Sequence, residues 1–447
     1  MRNLSRLATA MVAVALSLSI EAAPELRVAT SFAGSTYGVD SDVIPPDTNG
    51  AVGRKHIVEL LNGHYAVYRK NNGQRVAAAS LFQFWNESGV FPRGFVVDPR
   101  VLYDAAADRW YASAFSSNFG NGPDELLFAV TRTDDPSQGW VGFSVPFAGP
   151  VGDFIDFPML GMSRDAVFVS TNGAVLVVPK SDLLAAQPSL ARSTLLQDRS
   201  LLTPGGTKVQ AVVDLDGAPQ TLLLGTWDVE GSTLRLWRIV GDVTAPALSA
   251  DQPFIALAPY VPVGPQGALQ PESGIGISPS SPFLASTIVA RNGRLWGVQT
   301  VAHQGRAALR WFTIDPATNA VVQEGLISDG SHDFFMGSIA VNACNDVVIG
   351  FNRSGTDQYA SAYAVAGTTE GNVTTFGEPV LLRMGTAVYE QTGGAPTARW
   401  GDYSTTVVDP QHPRTFWTFQ EWVSARDVWS TQMTELRLRH QGSCRQP

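Results

Sequence analysis

The feature that most limits what this chain can fold into is a repeat of strand pairs. Short β-branched or aromatic runs bounded by Gly, Pro, Asn and Asp recur throughout, as at residues 109–115 (RWYASAF), 166–170 (AVFVS), 221–227 (TLLLGTW), 347–351 (VVIGF) and 415–419 (TFWTF). Runs of this length and composition read as strands, and long amphipathic helices are hard to find. Each unit opens with a short strand, an Asp/Asn/Gly turn and a stronger apolar strand, and adds a third strand after a loop. Units begin near Pro45, Val97, Ile155, Thr207, Pro282, Phe335 and Trp400. Their mean step of about 59 residues suits sheets of about four strands arranged as propeller blades. The last unit offers three strands, at 403–408, 415–421 and 428–438, while 25–32 (ELRVATSF) reads as a strand ahead of the first unit. The expectation is an all-β, seven-bladed β-propeller with about four antiparallel strands per blade. The N-terminal strand would close the last blade, because an unclosed ring leaves exposed edges.

The length of 447 residues alone suggests about three domains, but the repeat accounts for 24–447 as one. A polar, Pro-rich stretch at 241–281 leaves two β-domains open, although units lie on both sides of it. Residues 1–23 differ in kind: Arg2 and Arg6, an apolar run at 7–20, then Glu21-Ala22-Ala23. That is the order of a secretory signal peptide, and the run is short of the ~20 residues that span a bilayer. The expected destination is extracellular or periplasmic. Export lets Cys344 and Cys444 pair. In a propeller the turn after the inner strand of blade six and the end of the third strand of blade seven lie on the same face. A disulfide there would be worth up to about 4–5 kcal/mol in the chain-entropy model.

Composition removes other classes. A hydrophobic fraction of 44% is too high for a disordered chain, and two cysteines cannot make a disulfide scaffold. With 31 Lys+Arg against 40 Asp+Glu, a net charge of −9 and four lysines, the chain lacks the basic face of a nucleic-acid binder. No membrane span, no required cofactor and a monomeric state are expected.

Loops preceding the inner strands would converge on one funnel at the top face. Acids recur there at Asp47, Asp98, Asp156, Asp333 and Asp402, and the same loops carry Trp85, Trp400, Tyr389, His332 and Arg399. Converging carboxylates can bind Ca²⁺, hold a carboxylate pair with split pKa values, or simply cap turns. Aromatic side chains beside polar groups can stack on a sugar, which makes Asp47, Asp98, Asp156, Asp333, Trp85 and Trp400 the candidate ligand-binding set. Asp47 and Asn49, in Asp47-Thr48-Asn49-Gly50, hint at a calcium loop. The sixth and twelfth positions, however, are Val52 and Val58 rather than the Gly and Glu of an EF-hand. The six histidines show no zinc spacing; His332, beside Asp333, is a candidate general base, and so is His303. No Gly-x-Ser-x-Gly elbow, P-loop or dinucleotide fingerprint occurs.

The segments PPDTNGAVG (45–53), DPRVLYDAAADRW (98–110), DFPMLG (156–161) and RWGDYS (399–404) resemble a group of secreted bacterial β-propellers, loosely of the sialidase-like superfamily. That group has no assigned activity, so the resemblance implies fold and export rather than a reaction. A sialidase would carry S-x-D-x-G-x-T-W boxes, which are absent, though Arg100, Arg399 and Tyr403 imitate parts of its site. Propeller polysaccharide lyases use His, Tyr and Arg, a cast that His332, Tyr403 and Arg399 fill by analogy. Asp402, Tyr403, Arg399 and His332 are thus the catalytic candidates. Three readings stay open: a binding propeller recognising glycan or protein at its top face, an extracellular glycosidase or polysaccharide lyase, and a structural envelope-associated protein.

Overall fold

The computed structural model describes residues 24–118, 120, 122–147, 155–204, 208–228, 232–284 and 286–439. The expected signal peptide and Cys444 lie outside the described residues. The protein is nearly all β, with short α- or 3₁₀-helices in four connections of the described residues.

The chain opens with β1 (Glu25–Thr36), and strands then come in groups of about four. In unit one, β2 (Asn49–Val52), β3 (His56–Leu61), β4 (His64–Arg69) and β5 (Arg75–Ser80) pair in that order. Helix α1 (Leu81–Glu87) follows, its N-terminus capped by Ser80 Oγ accepting from Gln83 N. Unit two is β6 (Phe95–Asp104), β7 (Arg109–Ser117), β8 (Glu125–Thr131) and β9 (Trp140–Pro146). Unit three is β10 (Met159–Met162), β11 (Ala166–Thr171), β12 (Ala174–Pro179) and, after α2 (Lys180–Leu183), β13 (Thr194–Gln197). Unit four is β14 (Val209–Asp214), β15 (Thr221–Thr226) and β16 (Thr233–Val240), whose outer edge is shared by β17 (Ala247–Leu248) and β18 (Phe254–Ala256). Unit five is β19 (Ile288–Arg291), β20 (Arg294–His303), β21 (Arg306–Asp315) and β22 (Ala320–Ile327). Unit six is β23 (Asp333–Val341), β24 (Asp346–Gly355) and β25 (Gln358–Glu370), edged by β26 (Val373–Phe376) and β27 (Val380–Arg383). Unit seven is β28 (Thr405–Val408), β29 (Thr415–Ala425) and β30 (Val428–Arg439), and its fourth strand is β1, antiparallel to β30.

Period-2 alternation explains why these sheets stack. On β7, Trp110, Ala112 and Ala114 pack with Val58 and Leu60 of unit one. The intervening Tyr111 and Phe115 pack with Val167 and Val169 of unit three. A sheet buried on both faces needs apolar residues at every position, which is why the second strands are such strong apolar runs. Each fully buried large aliphatic or aromatic side chain contributes about 1.5–3 kcal/mol.

The first strands lie side by side: β2 against β6, β6 against β10, β10 against β14, β14 against β19, β19 against β23, β23 against β28, and β28 against β2. A cavity of about 420 Å³ is lined by residues from each of these seven strands, among them Val52, Val101, Met162, Val213, Val289 and Val341. Units one and seven meet closely enough that a Cβ on Gly50 would fall 2.2 Å from the Phe419 ring. A buried polar cluster also ties β1 into this seam. Ser35 Oγ donates to Glu59 Oε2 at 2.6 Å and lies 2.8 Å from His64 Nδ1, and Thr431 donates to Glu59 Oε1.

The loop expected to carry Trp85 begins instead with α1, and Trp85 is wholly buried in the core between units one and two. No helix among the described residues is long and apolar enough to cross a membrane.

Candidate functional site

The acids of interest sit where first strands begin, and local backbone aims them. Asp47 (φ 50°), two residues before β2, and Asp98 (φ 53°), in the register break of β6, are both left-handed. Asp tolerates that region because its short side chain can bond locally. Phe157 (φ 53°) and Met336 (φ 55°) adopt it at the matching places of units three and six, where a bulky residue is a real outlier. The recurrence makes the turn a device of the repeat rather than an accident of one loop.

Four of the five acids share one neighbourhood. Asp47 Oδ1 accepts from the backbone N of Asp402 at 2.7 Å, and its Oδ2 accepts from Asn62 Nδ2 at 2.8 Å. Asn62 Oδ1 in turn accepts from Asp98 N at 2.9 Å, so one amide fixes two acids. Asp98 Oδ2 accepts from the Tyr403 hydroxyl at 3.0 Å. Arg399 grips Asp402 with both terminal nitrogens, at 2.8 Å to Oδ1 and by a second bond to Oδ2. Ser280 Oγ lies 3.2 Å from Asp402 Oδ1. Asp156 pairs with Lys208, whose Nζ stands 4.7 Å from the Phe157 ring centroid. The guanidinium of Arg100 lies 3.5 Å from the centroid of the Tyr403 ring, and its Nη2 lies 2.7 Å from Met159 Sδ.

Burial dominates the electrostatics. Asp47 is held well above the usual carboxylate range by desolvation first, then by the charges of Asp402 and Asp98. Asp98 is pushed up to about 6 by burial, with Asp402 and Asp156 adding to it. Glu421, which accepts from Thr48 Oγ1 at 2.9 Å, is also held well above its ordinary value by burial. Burial lowers Arg100 and raises Tyr403. On Arg399 burial works against the charge, but the hydrogen bonds and charge of Asp402 outweigh it and hold the group above its ordinary value. Close carboxylates out of water cannot all ionise, so this group retains protons where free aspartates would not.

The other candidates go elsewhere. Asp333 accepts from Leu269 N and Ala307 N, both at 2.8 Å, and pairs with Arg306, so it fastens loops instead of joining the cluster. His332 sits between Asp329 (2.8 Å) and Asp357 (3.1 Å) and is bonded to no member of the Asp47 group. Trp85 and Trp400 are both 0% exposed, so neither offers a face to a sugar. Trp400 instead donates to Asn352 Oδ1 at 3.0 Å and packs against Tyr389. Asn49 spends its amide on Val101 N and Thr405 Oγ1, both at 2.8 Å, and does not join Asp47 in a cation loop. Among the described residues no group of three or more His, Cys, Asp or Glu is set to hold a metal ion.

Sequence reasoning missed Asn62, Lys208, Phe157, Ser280 and Glu421. A signal existed for the last, since Glu421 is the one charge within the apolar run 415–423 (TFWTFQEWV). Arg399 and Asp402 remain partly open, with side chains 30% and 15% exposed, as do Lys208 and Asp156, at 15% and 28%. Two part-exposed ion pairs thus lie beside a buried acid network.

No family model matches the chain, and no curated protein matches it in sequence. Among solved structures, Kuenenia stuttgartiensis hydrazine synthase is similar over 86% of this chain and 94% of its own, at 10% identity and a TM-score of 0.44. A Synechocystis apocarotenoid oxygenase mutant covers 84% and 65% at 11% identity and TM-score 0.32, and Kluyveromyces lactis Hsv2 covers 76% and 100% at 10% and 0.31. Likenesses this remote carry no argument about function.

Proposed function

We propose that residues 24–447 form one exported seven-bladed β-propeller that binds a glycan or an extracellular protein at the entry end of its central channel. The cyclic neighbouring of the first strands, the cavity they share and the β1–β30 pair support the ring. The Cys344–Cys444 disulfide belongs to the same reading, and thiol titration of the denatured mature protein should find no free cysteine.

One observation carries the choice of binding over catalysis: every carboxylate of the cluster is already engaged. Backbone and Asn62 hold Asp47, Tyr403 holds Asp98, Arg399 holds Asp402 and Lys208 holds Asp156. What remains for a ligand is the pair of part-exposed ion pairs, which suit hydroxyl and amide groups. A polysaccharide and protein panel scored for binding and for release of reducing ends tests this. Arg399→Ala should weaken binding at least ten-fold without any release by the wild type.

A second reading has its own observation: Asp98, at about 6 and beside Tyr403, is an acid protonated near neutrality, as a glycosidase requires. Reducing ends released by the wild type and lost in Asp98→Asn would establish it in place of binding. A lyase reading is weaker, because His332 is separate from Tyr403 and Arg399.

A further inference from the structure

The seam between units seven and one carries a groove of about 740 Å³ on the side away from the acid cluster, where first strands end. Its wall includes Arg54, Lys55, Arg69, Lys70 and Arg437, against Asp409 and Glu435 alone among acids. An excess of three positive charges gathers here on a chain whose net charge is −9.

The two acids are already occupied. Asp409 is 3% exposed and accepts from Gln411 N (2.8 Å), His412 N (3.1 Å), Trp417 Nε1 (3.1 Å) and Lys70 Nζ (3.1 Å). Lys70 also donates to Gly53 O and Gln411 Oε1. This set forms a fixed floor. Glu435 is held by Arg437 through two bonds, at 2.8 and 2.6 Å. Arg54 is held by Asp108. Lys55 and Arg69 stand exposed at the rim, with no acid of the described residues paired to either, so the positive potential of the groove is uncompensated where a ligand would enter.

We propose that this groove binds an acidic polysaccharide, one bearing sulfate or uronate groups along its chain. The volume lies within the range of ligand sites, about 300–1,000 Å³, and the cations come from both sides of the seam, so a ligand with several charges gains over one with a single charge. Neutral hydrogen-bonding side chains, Thr30, Asn71 and Gln411, line the same wall and suit hydroxyl groups. A peptide held by apolar side chains would look for apolar pockets and a nucleic acid for exposed stacking rings; among the described residues the only aromatic ring in the wall besides the two imidazoles is Trp417, 1% exposed. This site goes beyond the entry-end reading and does not depend on it.

The test is titration of the full mature chain with a sulfated uronate-containing hexasaccharide, its desulfated and carboxyl-reduced counterpart, inorganic sulfate and a poly-glutamate peptide. Wild type should bind the sulfated chain at least ten-fold more tightly than the neutral one, more weakly as salt rises from 50 to 200 mM (roughly, from charge screening). Lys55→Glu with Arg69→Glu should reduce that affinity at least ten-fold while the unfolding midpoint in denaturant stays put. Lys55→Gln with Arg69→Gln should fall between. Equal affinity of the double Glu variant would overturn the proposal. So would inorganic sulfate or poly-glutamate binding as tightly as the saccharide.

Discussion

The seven first strands carry unlike residues where they begin and where they end. At the entry end, where these strands begin, lie Asp47, just before β2, and Asp98 and Arg100 of β6, all buried and bonded to distant parts of the chain. At the exit end the same strands carry Val52, Val213, Val289 and Val341 around a cavity. The connections explain the contrast. Exit-end turns between first and second strands are only two to six residues long, and the acid buried in one of them, Asp409, is met by that turn's own backbone, by Trp417 and by Lys70. Entry-end connections, such as the long one between β27 and β28, deliver Arg399 and Gly401 to the cluster. At either end a charge is buried only where bonds satisfy it, since an unpaired buried charge is prohibitive.

The largest expected effect comes from removing Arg100, a cation buried at the entry end. Arg100→Ala should destabilise the protein by about 3–5 kcal/mol, read from denaturant unfolding, because it strips a counter-charge from buried acids. A wild-type midpoint in this variant would mean that the two ends do not differ electrostatically.

Acid titration sharpens the same contrast. Asp98 has a folded pKa of about 6, above its unfolded value, so the folded state holds the proton more tightly. Its contribution is present in full below the unfolded value, near ~3.9, and is lost as pH rises through about 6, a swing of about 2–3 kcal/mol. Subtracting the stability–pH curve of Asp98→Asn from that of the wild type should isolate this fall. A flat difference between pH 4 and 7 would refute the buried-acid account.

At the exit end, Val289→Ala should cost about 1 kcal/mol, less than the ~2–5 kcal/mol of a Leu→Ala change between packed sheets, since its wall already faces a void. Leu223→Ala, within the unit three–unit four core, is the comparison variant. Smallest of all, His332→Ala should change stability by no more than about 1 kcal/mol, as its partners are a part-exposed Asp329 and an exposed Asp357. It should also leave entry-end ligand binding within two-fold.

The strands could be read in advance because their signal is local. The runs at 109–115, 166–170 and 221–227 fall within β7, β11 and β15, apart from one residue beyond the end of the last, and 25–32 lies within β1. Helix α1 was not legible, since LFQFWNE is a short aromatic-rich run of the kind that elsewhere in this chain forms a strand. Nor could the wiring of the cluster be read. Asp47 and Asp402 are bonded across 355 positions, and Tyr403 and Asp98 across 305. Positions could be nominated from their place before each first strand, which brought in Asp47, Asp98, Asp156 and Asp402. The same rule admitted Asp333, whose carboxylate the neighbouring loop takes for its own backbone.

The β1–β30 pair also sets a clock. Ser31 and Thr434 touch across 403 positions, so at about 5–20 residues per second the first strand waits roughly 20–80 s for its partner to be synthesised. Throughout that interval it is an open edge able to pair with any other strand. Its charges, Glu25 and Arg27, and its largely solvent-facing pattern suit a segment that must stay soluble alone. A strand made long afterwards, β30, is then the one that gives β1 a place.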